Sequence, residues 1–145
     1  MDSSRDRGIR AFTVTGGILL LVGAAVHITG WEYAPLLFAV GTFLFSIGQF
    51  ADRYEGVDLI LKRLRSQQLI GTFFIILTAL LMFSGGFRES VLMNNGMNPK
   101  IRNLILELTN KNNWIVTLTI AALFELYPAF RMDSRIKELD KTKED

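Results

Sequence analysis

The chain has 145 residues, of which 50% are hydrophobic and 21% are charged, and none is cysteine. The lack of cysteine excludes disulfide scaffolds, thiol chemistry and cysteine-ligated metal sites. The formal net charge is only +2, and the basic residues are spread over several segments, which argues against a nucleic-acid partner. The length predicts a single domain, residues 1–145.

The hydrophobic residues form four blocks that approach the roughly 20 residues needed to cross a bilayer. They cover about residues 10–29, 35–51, 67–86 and 113–129. A soluble helical bundle would need a polar face on each helix, and these segments have almost none. The first block lacks a small-residue cleavage site, so we expect an uncleaved span rather than a signal peptide. The pattern therefore predicts an all-α, integral membrane four-helix bundle.

The basic residues predict the orientation of these spans. Of the 16 lysines and arginines, 12 lie in the N-terminal segment, in the loop after the second span and in the charged tail, residues 131–145. The other four lie between the third and fourth spans. The positive-inside rule then places both termini in the cytoplasm. We expect the chain in a bacterial inner (plasma) membrane.

Small residues mark the contact between the first two spans, which a short turn joins into a tight hairpin. They recur every seven positions: Gly16, Gly23 and Gly30 in the first span, then Ala34, Gly41 and Gly48 in the second. Folding the chain at Glu32 predicts that Gly23 lies near Gly41 and Gly16 near Gly48. Small residues allow the close backbone approach that holds membrane helices together. Packing is therefore favoured over a hinge or a permeation path.

Aromatic and polar residues predict the outer end of the bundle. Trp31, Tyr33 and Trp114 have the amphipathic rings that anchor spans among headgroups. His27, the single histidine, shares the packing face of the first span and forms a candidate outer polar site with Glu32. It could relay protons, but a neutral imidazole held by a carbonyl or by water is favoured. One histidine cannot make a metal site, so we expect no metal and no cofactor.

The two longer loops each contain a predicted amphipathic helix. The cytoplasmic loop has a basic one, which lies on the inner leaflet or extends the third span. Its Lys62, Arg63 and Arg65 are expected to attract anionic headgroups. In the outer loop between the third and fourth spans, Asn98 and Pro99 are typical of a helix start. This short outer helix lies on the interface, covers the bundle or receives a partner.

Glu125, inside the fourth span, is the main candidate for function, because an acid is costly in hydrocarbon. Its helical neighbours include Ala121 and Pro128, which form a small face suited to helix contact. Side chains lean towards the start of their own helix, and this helix starts outside. We therefore expect Glu125 to point into the bundle, where it needs a partner or a proton.

The second span supplies the predicted partners of Glu125. Arg53 is the preferred one, because its side chain leans up into the bilayer. Gln49 and Ser46 lie on the same stripe of the second span, and Thr72 of the third span lies at the same depth. Together these residues form a candidate intramembrane polar network.

Two functions follow from this network. In the favoured one, it fixes the helices of an accessory or scaffold component that packs with itself, with lipid or with a larger membrane partner. In the alternative, Glu125 is the proton or cation site of a small transporter or channel subunit. The chain has no Ser/His/Asp set, metal cluster or phosphate loop, so we expect that it is not an enzyme.

Overall fold

The computed structural model describes residues 3–52, 56–110 and 112–144, and secondary structure in these ranges is entirely helical. In chain order the helices are α1 (Ser3–Ile28), α2 (Ala34–Ala51), α3 (Leu59–Met93), α4 (Pro99–Leu108) and α5 (Asn113–Glu144). The predicted all-α class is confirmed. Four of the helices, α1, α2, α3 and α5, are long and apolar enough to cross a membrane.

Three of these helices extend beyond their predicted hydrophobic blocks. Hydropathy marks the part of a helix that hydrocarbon can cover, whereas backbone hydrogen bonding continues into polar sequence. Asp6 in the first turn of α1 favours the early start, since an acid stabilises the positive end of the helix dipole. In the extension of α5, Lys137 donates to Asp133 at 2.6 Å, an i, i+4 pair that supports continued helix.

The start of α3 explains why the basic segment that follows α2 is continuous with the apolar part of α3. Asp58 is its N-cap, and its Oδ1 accepts from the backbone N–H groups of Ile60 at 2.8 Å and Leu61 at 3.4 Å. Leu61 and Leu64 are buried, so the amphipathic segment forms the first turns of α3. Asp58 Oδ2 also accepts from Arg135 Nε at 3.2 Å, which ties this cap to α5.

The helices pack as two pairs. α1 lies along α2, α3 lies along α5, and a smaller contact between α2 and α3 joins the pairs. α1 and α5 touch each other only slightly at most. The order of neighbours is therefore α1, α2, α3, α5, with a groove between the first and the last.

Glycines bring the backbones of α1 and α2 together, but in a register that differs from the prediction. A Cβ on Gly23 would lie 2.7 Å from Phe38 N, and one on Gly41 would lie 2.5 Å from Leu20 N. Gly41 is thus opposite Leu20, three residues from its predicted neighbour Gly23. The small residues still make the contact, because no side chain fits between these backbones.

Gly30 explains the change of register. It was expected on the packing face, but it lies in the exposed turn after α1, where its φ of 80° belongs to the left-handed region that glycine adopts most easily. An added Cβ would meet nothing within 4 Å. The fold point therefore precedes Glu32, which shifts α2 along α1. Ala34, at the start of α2, is fully buried.

The α3–α5 pair has its own polar and aromatic contacts. Thr78 Oγ1 lies 2.9 Å from Thr117 Oγ1, and each hydroxyl also lies within hydrogen-bond distance of a carbonyl of its own helix, so its single proton is shared between that carbonyl and the other hydroxyl. The rings of Phe74 and Phe124 stack with centroids 6.2 Å apart. Hydroxyls that first satisfy their own helix can bridge two spans at little desolvation cost.

α4 is a peripheral helix that packs lightly against α3. Asn98 caps its start, with Oδ1 accepting from Lys100 N at 3.0 Å. Asn113 caps its end, because Nδ2 donates to the carbonyls of Glu107 at 2.8 Å and Leu108 at 2.9 Å. None of its residues is buried, so the apolar face of α4 is open to its surroundings.

Gly23→Ala is expected to destabilise the protein by about 1–3 kcal/mol, because the new methyl would collide with the backbone of Phe38 and the helices must separate. Gly17→Ala is the matched control, since its Cβ would meet only the Phe45 ring, at 3.7 Å. It should be neutral, or stabilising by up to about 1 kcal/mol. Equilibrium unfolding of both variants in detergent checks this. Equal effects would show that α1 and α2 are not in this close contact.

The cap at Asp58 predicts an acid-dependent stability. Its hydrogen bond from the Ile60 N–H, followed by those from Arg135 and Leu61, holds the pKa of Asp58 below its usual value. A lowered folded-state pKa stabilises the protein fully above the unfolded-state pKa of about 3.9, and this stability disappears as the pH falls through the folded-state value. The difference in unfolding free energy between wild type and Asp58→Asn should therefore shrink below about pH 4.

The measurement is unfolding of both proteins between neutral and strongly acidic pH. Asp133→Asn serves as the control, because its ion pair with Lys137 leaves both side chains largely exposed and should contribute little at any pH. A wild-type to Asp58→Asn difference that stayed constant with pH would contradict the assigned role of this carboxylate.

Candidate functional site: the Glu125 polar network

The Glu125 carboxylate lies where α5 comes closest to α3. Ala121 and Pro128, one turn to either side, are buried. Opposite them is Gly71, where an added Cβ would lie 3.0 Å from Glu125 Cγ and 3.1 Å from Oε1. The absence of a side chain at Gly71 therefore makes the space that the carboxylate occupies.

Two different helices donate hydrogen bonds to this carboxylate. Thr72 Oγ1 of α3 donates to Glu125 Oε1 at 2.9 Å, and Gln49 Nε2 of α2 donates to Oε2 at 3.3 Å. Each oxygen therefore has a donor from a separate helix. In a low-dielectric environment such bonds replace the water that a carboxylate would otherwise need.

Arg65, near the start of α3, completes the network. Its Nη1 donates to Gln49 Oε1 at 2.6 Å and to Gln68 Oε1 at 2.8 Å. Its Nη2 donates to the backbone carbonyls of Gln49 and, at 2.6 Å, of Asp52. Only 12% of the Arg65 side chain is exposed. The guanidinium thus covers the last carbonyls of α2, which have no partner within their own helix.

Gln49 connects the two charged groups. Its amide oxygen accepts from Arg65 while its amide nitrogen donates to Glu125, so the guanidinium and the carboxyl group are linked through one side chain. This arrangement orients the amide, because its two ends would be mismatched in the reverse orientation. The network therefore joins α2, α3 and α5 through a single continuous chain of hydrogen bonds.

The structure brings together some of the residues named from the sequence and not others. Glu125, Gln49 and Thr72 are in direct contact. Ser46 is buried, yet its Oγ has no hydrogen-bond partner within the described ranges. Arg53, the preferred partner, lies outside the described residues.

Arg65 and Gln68 are the members of the network that the sequence reasoning missed. Arg65 was grouped with Lys62 and Arg63 as a headgroup-binding residue, whereas its guanidinium has four acceptors within the protein. The available signal was helical spacing, since positions 65, 68 and 72 fall on one face if α3 begins before Arg65. Lys62 and Arg63 are exposed.

A groove between α1 and α5 runs alongside the network. Its volume is about 340 Å³, and Glu125, Gln49 and Gln68 line it together with apolar side chains. Those apolar residues include Leu20, Phe45, Ile75 and Leu118. The carboxylate is therefore held by its neighbours and also borders a space that is open towards the surface of the chain.

The other candidate polar site, His27 with Glu32, is not assembled as predicted. His27 lies at a separate cavity of about 610 Å³, and Glu32 is exposed in the turn and is not part of the cavity lining. The His27 ring packs edge-on against Trp114, with centroids 4.9 Å apart. The sequence predicted that Trp114 anchors the fourth span among headgroups. In the structure Trp114 is 8% exposed and belongs to the hydrophobic core.

The other two aromatic residues that were predicted as interface anchors lie close together in one turn. Trp31 and Tyr33 are exposed in the turn between α1 and α2, with ring centroids 6.0 Å apart. Among the residues that the structure describes, no three His, Asp or Glu side chains gather in a group that could hold a metal ion.

Comparisons with protein-family models, with curated proteins and with solved structures find no match to this chain. The functional interpretation therefore rests on the geometry alone.

Replacing Arg65 tests whether the network stabilises the fold. Arg65→Gln removes the donor from two backbone carbonyls and two amide oxygens, so we expect a loss of about 2–3 kcal/mol in unfolding free energy. Arg65→Lys should fall between wild type and Arg65→Gln, since one ammonium cannot match the planar fork of a guanidinium.

Arg63→Gln is the matched control, because Arg63 is exposed on the same helix and its loss should change stability by less than about 0.5 kcal/mol. Equilibrium unfolding in detergent measures all three variants. If Arg65→Gln and Arg63→Gln were equally stable, Arg65 would be a topology determinant only.

Proposed function

We propose that the chain is an integral membrane four-helix bundle with both termini in the cytoplasm, acting as an accessory or scaffold component rather than as an enzyme. Four helices of sufficient length and apolar character support membrane insertion. The orientation follows from the distribution of basic residues, 12 of 16 on the proposed cytoplasmic side. The location we propose is a bacterial inner (plasma) membrane.

The observation that carries this proposal is the full engagement of Glu125. Both carboxylate oxygens accept from side chains of other helices, and Gln49 links the acid to Arg65. An intramembrane acid held in this way fixes the relative positions of α2, α3 and α5. A fixed frame with large apolar outer faces suits a component that packs with a second copy, with lipid or with a larger membrane partner.

Lipid contact on the cytoplasmic side belongs to the same proposal. Lys62 and Arg63 are exposed at the start of α3, where anionic headgroups would meet them. Each basic group near such a surface contributes about 1 kcal/mol of attraction. Arg65 takes no direct part here, since its guanidinium is bonded within the protein.

A second candidate function is a proton- or cation-linked transporter or channel subunit. The observation in its favour is that Glu125 also borders the groove of about 340 Å³ between α1 and α5. A cation entering from this side could compete with Thr72 and Gln49 for the carboxylate oxygens. Acids at such positions commonly serve as exchange sites in transporters.

Substitution of Glu125 separates the two functions. In Glu125→Gln the new amide keeps one acceptor oxygen, but its NH₂ group then faces one of the two groups that donate to Glu125. We therefore expect a loss of about 1 kcal/mol in the free energy of unfolding. Glu125→Leu leaves the Gln49 amide nitrogen without its acceptor, whereas the Thr72 hydroxyl keeps the Gln68 carbonyl at 3.2 Å, and the substitution should cost about 1–3 kcal/mol. Glu107→Gln, at an exposed position of α4, is the control and should match wild type.

Two readouts are needed: the assembly recovered in mild detergent and ion-driven flux in vesicles. For a scaffold, wild type should purify with a second copy or a partner in fixed stoichiometry, and Glu125→Leu should lose that assembly. Intact assembly of Glu125→Gln together with lost flux would instead establish transport. A wild-type protein that is monomeric and without a partner in mild detergent would overturn the scaffold proposal.

A further inference from the structure

The cavity beside His27 lies where the apolar stretch of α3 ends, close to the end of α1 and the start of α5. Its walls come from the end of α1, the outer part of α3 and the start of α5. The apolar stretch of α3 ends at Gly85, which lines the cavity, and Arg88 and Glu89 follow within one turn. His27 and Trp114 likewise occupy the ends of their helices. The cavity therefore straddles the boundary between apolar and polar sequence.

Two side chains of opposite charge, Arg88 and Glu89, line this cavity. Arg88 and Glu89 both line it, and neither side chain has an ion pair or hydrogen bond with any residue in the described ranges. Elsewhere the chain does pair such groups, as Arg135 does with Glu138 and Asp58. Among residues 3–52, 56–110 and 112–144, this cavity of about 610 Å³ is therefore lined by one cation and one anion that pair neither with each other nor with another residue.

A third polar group faces the same region. His27 Nδ1 is shielded from solvent and has no hydrogen-bond partner within the described part of the chain. Buried polar atoms are nearly always bonded, so an isolated one beside a cavity indicates a place for a ligand atom. The rest of the lining is mixed, with hydroxyls at Ser84 and Thr109 and apolar side chains at Leu81, Met82 and Leu92.

We propose that this cavity binds the zwitterionic headgroup of a phospholipid, a phosphate joined to an ammonium group. Arg88 and His27 receive the phosphate, because a guanidinium and an imidazole N–H are suited to its oxygens. Glu89 receives the ammonium. The balance of one cation and one anion favours a zwitterion over a net-negative headgroup, and the apolar wall accommodates the first carbons of the acyl chains.

This inference rests on the proposed membrane insertion, but not on the scaffold role or on which end is cytoplasmic. Extraction of membranes with alkaline carbonate tests insertion first. Release of the protein into the soluble fraction would overturn insertion and this site together. Retention in the membrane leaves the headgroup to be tested by itself.

The binding experiment uses the full chain, stripped of lipid in detergent. Phosphatidylethanolamine and phosphatidylglycerol with identical acyl chains are added, and binding is measured by native mass spectrometry and by the shift in melting temperature. We expect one phosphatidylethanolamine to bind per chain, about tenfold more tightly than phosphatidylglycerol. Water-soluble phosphoethanolamine forms a third arm. If it binds and the lipid does not, the same chemistry serves a free zwitterion.

Variants assign the two charges. Arg88→Gln should weaken binding of both lipids about tenfold, because it removes the phosphate contact. Glu89→Gln should abolish the preference for the zwitterion and leave phosphatidylglycerol binding unchanged or stronger. Arg102→Gln and Glu107→Gln on α4 are controls that remove the same charges outside the cavity.

The melting temperature of each variant without lipid shows that it is folded, and each cavity variant tests one charge independently of the other. Equal binding of the two lipids by wild type would overturn the proposal. So would cavity variants that bind like the α4 controls. Failure of phosphoethanolamine and of both lipids to bind would also overturn it.

Discussion

The constraint on which this structure depends is the cost of placing the carboxyl group of Glu125 among apolar helices. Hydrogen bonds from other side chains offset that cost. Thr72 and Gln49 donate to Glu125, and Arg65 donates to the amide oxygen of Gln49. Because these residues come from α2, α3 and α5, the three helices can satisfy the acid only in one relative arrangement. The hydrogen bonds to Glu125 therefore define how α2, α3 and α5 are positioned along one another. Van der Waals packing alone would define these positions less sharply.

The first helix is held by a different principle. α1 has no part in the Glu125 network and packs on α2 through glycine contacts that exclude side chains altogether. Close backbone packing thus holds α1 against α2, whereas hydrogen bonds hold α2, α3 and α5 together. α2 belongs to both, since one of its faces carries Gly41 and another carries Gln49. Neither the glycine contacts nor the Glu125 hydrogen bonds join α1 to α5, and this explains the groove between these two helices.

The helical class and the interior position of Glu125 were predictable, since both depend on local pattern: hydrophobic length and the small residues around the acid. The partner was not. Arg65 reaches Gln49 only because α3 starts at Leu59, and that start depends on Asp58 as a cap. The α1–α2 register was also missed, because it depends on the backbone conformation of Gly30. Trp114 is buried in a core cluster and packs against His27, which lies far from it in the sequence, so its burial could not be read from local pattern.

The unbroken length of α3 has a mechanical consequence. At 1.5 Å per residue its 35 residues form a rod of about 52 Å, well beyond a hydrocarbon layer of about 30 Å. Arg65 near one end and Arg88 near the other are fixed to the same rod, and no proline interrupts it. A tilt or axial rotation of α3 therefore moves the Arg65 guanidinium and the cavity beside Arg88 together, so the two ends of this helix respond as one rigid body.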